Sequence, residues 1–197
     1  MASLLPAPVL VIHSSTGLDL SKIQSVLLQL GYQPDMLLYV DNMLSAQSMI
    51  TEHLPNLILY HAATTSEISL ILQLKQQSPY PPVIAIFNTD SIATIYSALL
   101  SGADSYMQHH DSLQQFAESL KIVLRGGAYI HTELADYILH QPIAKTCLNL
   151  AELQLLKLLS QHKLQAERQD QLEMKDYQMY SRVKHIYRKL FRLSSNS

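Results

Sequence analysis

Short apolar runs recur along the first two thirds of the chain, separated by stretches whose apolar residues fall at helical spacing. PVLVI (8–12) is the first run; after it, Leu20, Ile23, Val26, Leu27 and Leu30 line one side of a helix that Gly31 stops. MLLYV (36–40) precedes the helical MLSAQSMITEHL, and NLILY (56–60) precedes SEISLILQLKQQ. PVIAIF (82–87) precedes SIATIYSALLSG, which Gly102 closes. DSYMQ (104–108) leads into DSLQQFAESLKIVLRGG, for which Asp111 is the expected N-cap. Continuous apolar runs without polar alternation mark strands covered on both faces. Five such runs alternating with five helices predict an α/β fold, a doubly wound parallel sheet with right-handed crossovers.

The rest of the chain reads as a small all-α unit. AYIHTELADYILHQP is a short helical linker ended by Pro142, and LNLAELQLLKLLSQH (148–162) is amphipathic, with Leu150, Leu153, Leu156, Leu158 and Leu159 mostly on one face. QAERQDQLEM is a weaker helix. KDYQMYSRVKHIYRKLFRL (175–193) is a third, carrying Arg182, Lys184, Arg188, Lys189 and Arg192. Three short helices with a basic third one suit a helix-turn-helix. The expected organisation is an α/β body at 1–127, a linker helix at 128–147 and the helical unit at 148–197.

Charge sharpens this division. Residues 1–147 carry 5 Lys/Arg against 11 Asp/Glu, whereas residues 148–197 carry 9 against 5. A basic tail on an acidic body points to a polyanion, although a solvated helical surface gives the same pattern. With 48% hydrophobic and 15% charged residues, a sizeable core is expected and wholesale disorder is not. The single cysteine, Cys147, permits no internal disulfide, which fits a reducing cytoplasm; in its apolar context it reads as packing. No basic segment precedes the first apolar stretch and no run has membrane-spanning length, so neither a signal peptide nor a membrane partner is expected. No nucleophile triad, glycine-rich phosphate loop or carboxylate dyad supports an enzyme, and no cofactor is implied.

Several ordered motifs carry a family resemblance. PNLILYH resembles PDLVLLD, SGADSYMQHHD resembles AGADGYLLKD, RGGAYIHTELADYIL resembles a linker and HIYRKL resembles NIYRKL, all of the NarL/FixJ-type response regulators. The resemblance spans nearly the whole chain. It implies a CheY-like receiver, a linker helix and a LuxR-type helix-turn-helix, the last shortened and divergent here.

The resemblance also locates what has been lost. A phosphorylated receiver needs an acidic pair after its first strand, an acceptor aspartate after the third, Thr/Ser after the fourth and Lys after the fifth. The matching positions are His13 and Ser14, His61, Phe87 and His109. No carboxylate remains to hold Mg²⁺, which wants oxygen ligands, and a histidine cannot become an acyl phosphate. Aspartyl phosphotransfer is excluded, although Tyr106 still occupies the switch-aromatic position. Three of the altered positions, His13, His61 and His109, are imidazoles at converging strand ends. Such a set suits a Zn²⁺-type metal or a proton switch; histidines filling a relaxed cleft are the plainer alternative.

In the DNA-binding half, Arg168 and Gln169 replace an apolar Ile-Ala pair of the scaffold helix. In the recognition helix, Gln178 and Met179 stand for Thr-Val, Tyr180 for Lys and Arg182 for His. Lys184, Arg188 and Lys189 are the expected phosphate contacts, with Lys175 and Arg182 beside them. Asp176, Tyr177, Gln178, Tyr180 and Ser181 are candidates for base edges. The implied function is phosphorylation-independent transcriptional regulation through DNA, with the receiver serving as a dimerisation or partner-docking platform. Such receivers often pair through the segment around 92–120, where Ile92, Ile95, Tyr96 and Leu99 are apolar; core packing explains the same residues. The alternative is an adaptor that contacts only proteins.

Overall fold

The computed structural model describes residues 7–13, 18–62, 64–161 and 175–194. Five parallel strands form one sheet in the order β2-β1-β3-β4-β5: β1 (Val9–Ile12), β2 (Leu37–Val40), β3 (Leu57–Ala62), β4 (Val83–Phe87) and β5 (Ser105–Gln108). Between them run α1 (Leu20–Gln29), α2 (Met43–His53), α3 (Ile68–Gln77) and α4 (Ile92–Leu100), and α5 (Leu113–Leu124) follows β5. The chain continues through α6 (Thr132–His140), α7 (Pro142–Cys147), α8 (Leu150–Leu159) and α9 (Asp176–Ser194). This is the doubly wound receiver architecture with a helical C-terminal region. Among the described residues, no helix is long and apolar enough to cross a membrane. The expected helix QAERQDQLEM, with Arg168 and Gln169, lies outside the described residues.

Side chains alternate across each strand, so every strand feeds two cores. Val9, Val11, Leu57, Leu59, Ile84, Ile86 and Met107 face α1 and α5, where Ile23, Val26, Leu27, Phe116, Leu120 and Val123 complete the layer. Leu10, Ile12, Ile58, Tyr60, Ala85, Phe87 and Tyr106 face the opposite side. That second core does not stop at residue 127: it runs on through Leu134 and Ile138 of α6, Leu155, Leu156 and Leu159 of α8, and Val183, Ile186, Tyr187 and Leu190 of α9. Each fully buried Leu, Ile or Val contributes about 1.5–3 kcal/mol, so this continuity fastens α9 to the body.

Helix starts follow side-chain chemistry. Asp19, Asn42 and Ser91 accept hydrogen bonds from the backbone N–H of Lys22, Ser45 and Thr94. The cap of α5 is Ser112, in a reciprocal box with Gln115 (3.2 and 2.8 Å), and not Asp111. Asp111 is buried instead, its carboxylate accepting from Gln108 N–H at 2.9 Å. Pro142 both ends α6, with Gln141 before it in extended backbone, and begins α7, where its missing N–H costs nothing. In α8, Leu150 is 71% exposed, and the buried positions are Glu152, Leu155, Leu156 and Leu159.

Candidate functional sites: the altered receiver pocket and the basic helix

The C-terminal strand ends place the altered positions along one edge of the sheet. His13 follows β1 and its N–H donates to Val40 O (3.0 Å); His109 follows β5 and its N–H donates to Phe87 O (2.9 Å). His61 is 2% exposed, in register with Ile86, and Phe87 is 1% exposed beside Ala62. Ser14 lies outside the described residues. Among the described residues, neither ring nitrogen of His61 has a hydrogen bond of normal geometry. Burial lowers the His61 pKa below its ordinary value, and the nearby His13 and His109 act in the same direction; Asn88 and Glu67 favour the charged form and are outweighed.

No group of three His, Cys, Asp or Glu among the described residues is placed to hold a metal ion. His13, His61 and His109 are thus near enough to sense each other's charge but are not brought together as a ligand set. His109 is exposed whereas His61 is buried at the end of β3.

A cation does reach this edge, from an element the family motif does not include. Lys22 on α1 donates through Nζ to His109 O (2.7 Å) and to Asp111 O, and sits 5.7 Å from the Phe116 ring centroid. The sequence carried a signal for it, since Lys22 is the only Lys or Arg before Lys75.

Tyr106 is 1% exposed and held from two directions. Its hydroxyl oxygen accepts from His131 N–H at 2.9 Å and lies 2.6 Å from His131 Nδ1. The hydroxyl donates to Nδ1 when that nitrogen is unprotonated, as in the Nε2–H tautomer of a neutral His131. Burial lowers the His131 pKa, consistent with that state. His131 is the N-cap of α6, and Tyr129 beside it accepts a 2.8 Å hydrogen bond from Tyr187 of α9. Strand β5, the linker and α9 are therefore joined by consecutive polar contacts.

Helix α9 buries Met179, Val183, Lys184, Ile186, Tyr187 and Leu190. It packs on α4 and α7, with Ser194 Oγ donating to Leu100 O at 2.6 Å. The α4 face expected to pair receivers is covered by the chain itself: Ile95, Tyr96 and Leu99 are buried, α6 and α9 lie against the helix, and Tyr96 meets Tyr137 edge-on at 5.4 Å.

The expected DNA contacts separate into two groups. Lys175, Tyr177, Gln178, Ser181, Arg182 and Arg188 are exposed, and His185 and Arg192 extend the same face. Lys184, Lys189 and Tyr180 are engaged inward. Lys184 is 9% exposed and 4.0 Å from Asp104, which also pairs with Lys75; burial holds the Lys184 pKa below its ordinary value despite that carboxylate. Lys189 donates to Glu152 at 2.8 Å. Burial alone would raise the Glu152 pKa, but the hydrogen bonds from Lys189 and Asn149 N–H outweigh it and the net shift is downward. Tyr180 is half-buried under Gly127, and its carbonyl accepts from Ala128 N–H at 3.0 Å. Sequence reasoning missed the three internal partners, Lys75, Asp104 and Glu152.

No protein-family profile matches the chain, and no curated protein matches it in sequence. Solved structures do. The RcsB response regulator of Salmonella typhimurium, described for its conformational dynamism for DNA interaction, gives a TM-score of 0.57 at 14% identity, over 97% of this chain and 99% of that one. A LuxR family DNA-binding response regulator from Silicibacter pomeroyi gives 0.52 at 20% identity, over 62% of this chain and 96% of that one. A LuxR family two-component response regulator from Aurantimonas gives 0.51 at 12% identity, over 66% and 93%. At these identities the likeness is one of fold: the chain has the fold of a response-regulator receiver continued by C-terminal helices.

Proposed function

We propose that this chain is an atypical, non-enzymatic response regulator that binds DNA and acts on transcription without phosphorylation, in the cytoplasm. In this reading residues 1–127 form the receiver-like body, 128–147 the linker and 148–197 the DNA-binding part. The observation that carries it is the outer face of α9. Lys175, Gln178, Ser181, Arg182, His185 and Arg188 recur there at three- and four-residue spacing, all exposed. Lys175, Arg182 and Arg188 have no ion-pair partner among the described residues. Cations without internal partners supply affinity for phosphates, and the polar residues between them are of the kinds that meet base edges.

The body's role follows from its losses. With histidine at the acceptor position and no acidic pair, the body holds α9 and offers a surface to a partner or a second copy. The test is a fluorescence-anisotropy titration of the intact protein with random and genomic DNA fragments at two salt concentrations. Salt-sensitive binding with a preference among fragments is expected; no binding at low salt ends the proposal.

One observation favours the adaptor reading. Lys184, Lys189 and Tyr180 are committed to internal contacts, which leaves fewer groups for DNA than the motif provides. A stable protein partner retained after nuclease treatment, together with no DNA binding, would select it.

A further inference from the structure

The end of α5 and the start of α9 meet in a cleft of ≈ 480 Å³ whose walls include Lys121, Arg125, Lys175, Tyr177 and Tyr180. The acidic part of the chain, residues 1–147, has only five cations, and two of them stand here four residues apart on one helix and its cap. Lys121, Arg125 and Lys175 are exposed, and none has an ion-pair partner among the described residues. One carboxylate, Asp176, also lines the cleft. Glu118, one turn before Lys121, accepts a hydrogen bond from Gln114 at 3.1 Å. The positive end of the 19-residue α9 opens into the same space, and Tyr177 stands 65% exposed at the rim.

The two helices are held at this spacing by the glycine corner. A Cβ on Gly127 would meet Tyr180 Cβ at 2.8 Å and Ile122 Cγ2 at 3.0 Å, so only glycine allows the turn after α5 to lie on α9. Gly126, next to Arg125, borders the neighbouring cleft that Arg182 and Arg188 line. The cations of α5 thereby adjoin the exposed row of α9.

We propose that Lys121 and Arg125, on the receiver-like body, bind the phosphate backbone of the same DNA duplex that α9 contacts, with Lys175 between them. This rests on the DNA-binding reading above and deepens it: the interface is composite, and the body contributes to it directly. Duplex DNA fits because its phosphates form an extended line of charge, matching cations on two elements and a tyrosine hydroxyl suited to a phosphate oxygen.

The test compares wild type, Lys121→Gln/Arg125→Gln and a control, Lys145→Glu, which makes the same change of net charge at an exposed position outside the cleft. A random-sequence duplex is titrated between about 50 mM and about 200 mM salt. The cleft variant should bind about tenfold more weakly at the lower salt, and its log–log salt slope should be smaller by about two, one for each phosphate-binding cation removed. The control should match wild type, and circular dichroism should show both variants folded. If wild type binds and the cleft variant keeps its affinity and slope, this inference is wrong while the proposed function stands. An equal weakening in the control also overturns it, since net charge would then be the cause. Absence of wild-type binding overturns both. Binding to phosphatidylserine vesicles instead of DNA, abolished in the cleft variant, would overturn it too, by reassigning the cleft to a membrane surface.

Discussion

Replacing Asp104 with asparagine removes a charge and almost no volume. The Asp104 carboxylate faces Lys75, lies 4.0 Å from Lys184 and accepts from Val83 N–H at 3.0 Å. The side chains of Lys75, Asp104 and Lys184 are 8%, 9% and 11% exposed. Asparagine keeps an oxygen for Val83 but leaves two desolvated ammonium groups without a counter-charge. Lys75 retains hydrogen bonds to Pro79 O (3.4 Å) and Pro81 O (3.2 Å), which softens its share. Lys184, already pushed toward its neutral form by burial, has no second carboxylate among the described residues to take over. Removing one partner of a buried pair costs about 3–5 kcal/mol; with Lys75 partly compensated, a loss of about 3 kcal/mol is expected. For a chain of this size that is roughly 6–12 °C in Tm. Urea and thermal unfolding followed by circular dichroism would measure it. The Asp104→Asn/Lys184→Met double variant should lose less than the sum of the singles, by about 1–3 kcal/mol. A loss below about 0.5 kcal/mol for Asp104→Asn, the level of an ordinary surface change, would refute the reasoning.

Other expectations follow from the same geometry. Folded His61 and His131 resist protonation, whereas the unfolded chain takes up protons near the ordinary value of 6.5. Their contribution to stability is therefore fully present above that value and falls away as pH drops toward the folded values. His61→Leu should flatten the dependence of urea stability on pH below 6.5; an unchanged slope would rule this out. Glu152→Ala should cost about 2 kcal/mol in the same unfolding assay, because it removes a capping box and a charged hydrogen bond to Lys189 together; a near-neutral effect would show the pair to be solvent-screened. Gly127→Val should loosen α9 from α5 and raise amide exchange along the N-terminal half of α9, whereas unchanged exchange would mean that the corner yields without cost.

The sheet and α1 to α5 were legible because strands buried on both faces and helices with one apolar stripe leave different periods in the sequence. Cap assignment failed at Asp111 because two neighbouring residues both have capping chemistry; the reciprocal bond from Gln115 decides for Ser112. Proline at 142 carried two meanings, a helix stop and a helix start, and the structure uses both, since α6 ends two residues before it and α7 begins at it. The candidate site was legible in type but not in direction. Lys184 and Lys189 read as phosphate contacts because Asp104 and Glu152, which hold them, lie far away along the chain. Period alone likewise does not say whether Ile95, Tyr96 and Leu99 meet a second copy or the chain's own α6 and α9.

The clasp between Tyr106 and His131 bears on how such a protein is controlled. Swinging the ring outward would forfeit two hydrogen bonds, about 1 kcal/mol each, and the burial of a side chain that is 1% exposed, about 2 kcal/mol more. An outward population near one in a thousand follows, roughly. With this side chain pinned, control in the proposed role would fall to what docks on the body and to the number of copies the cell makes.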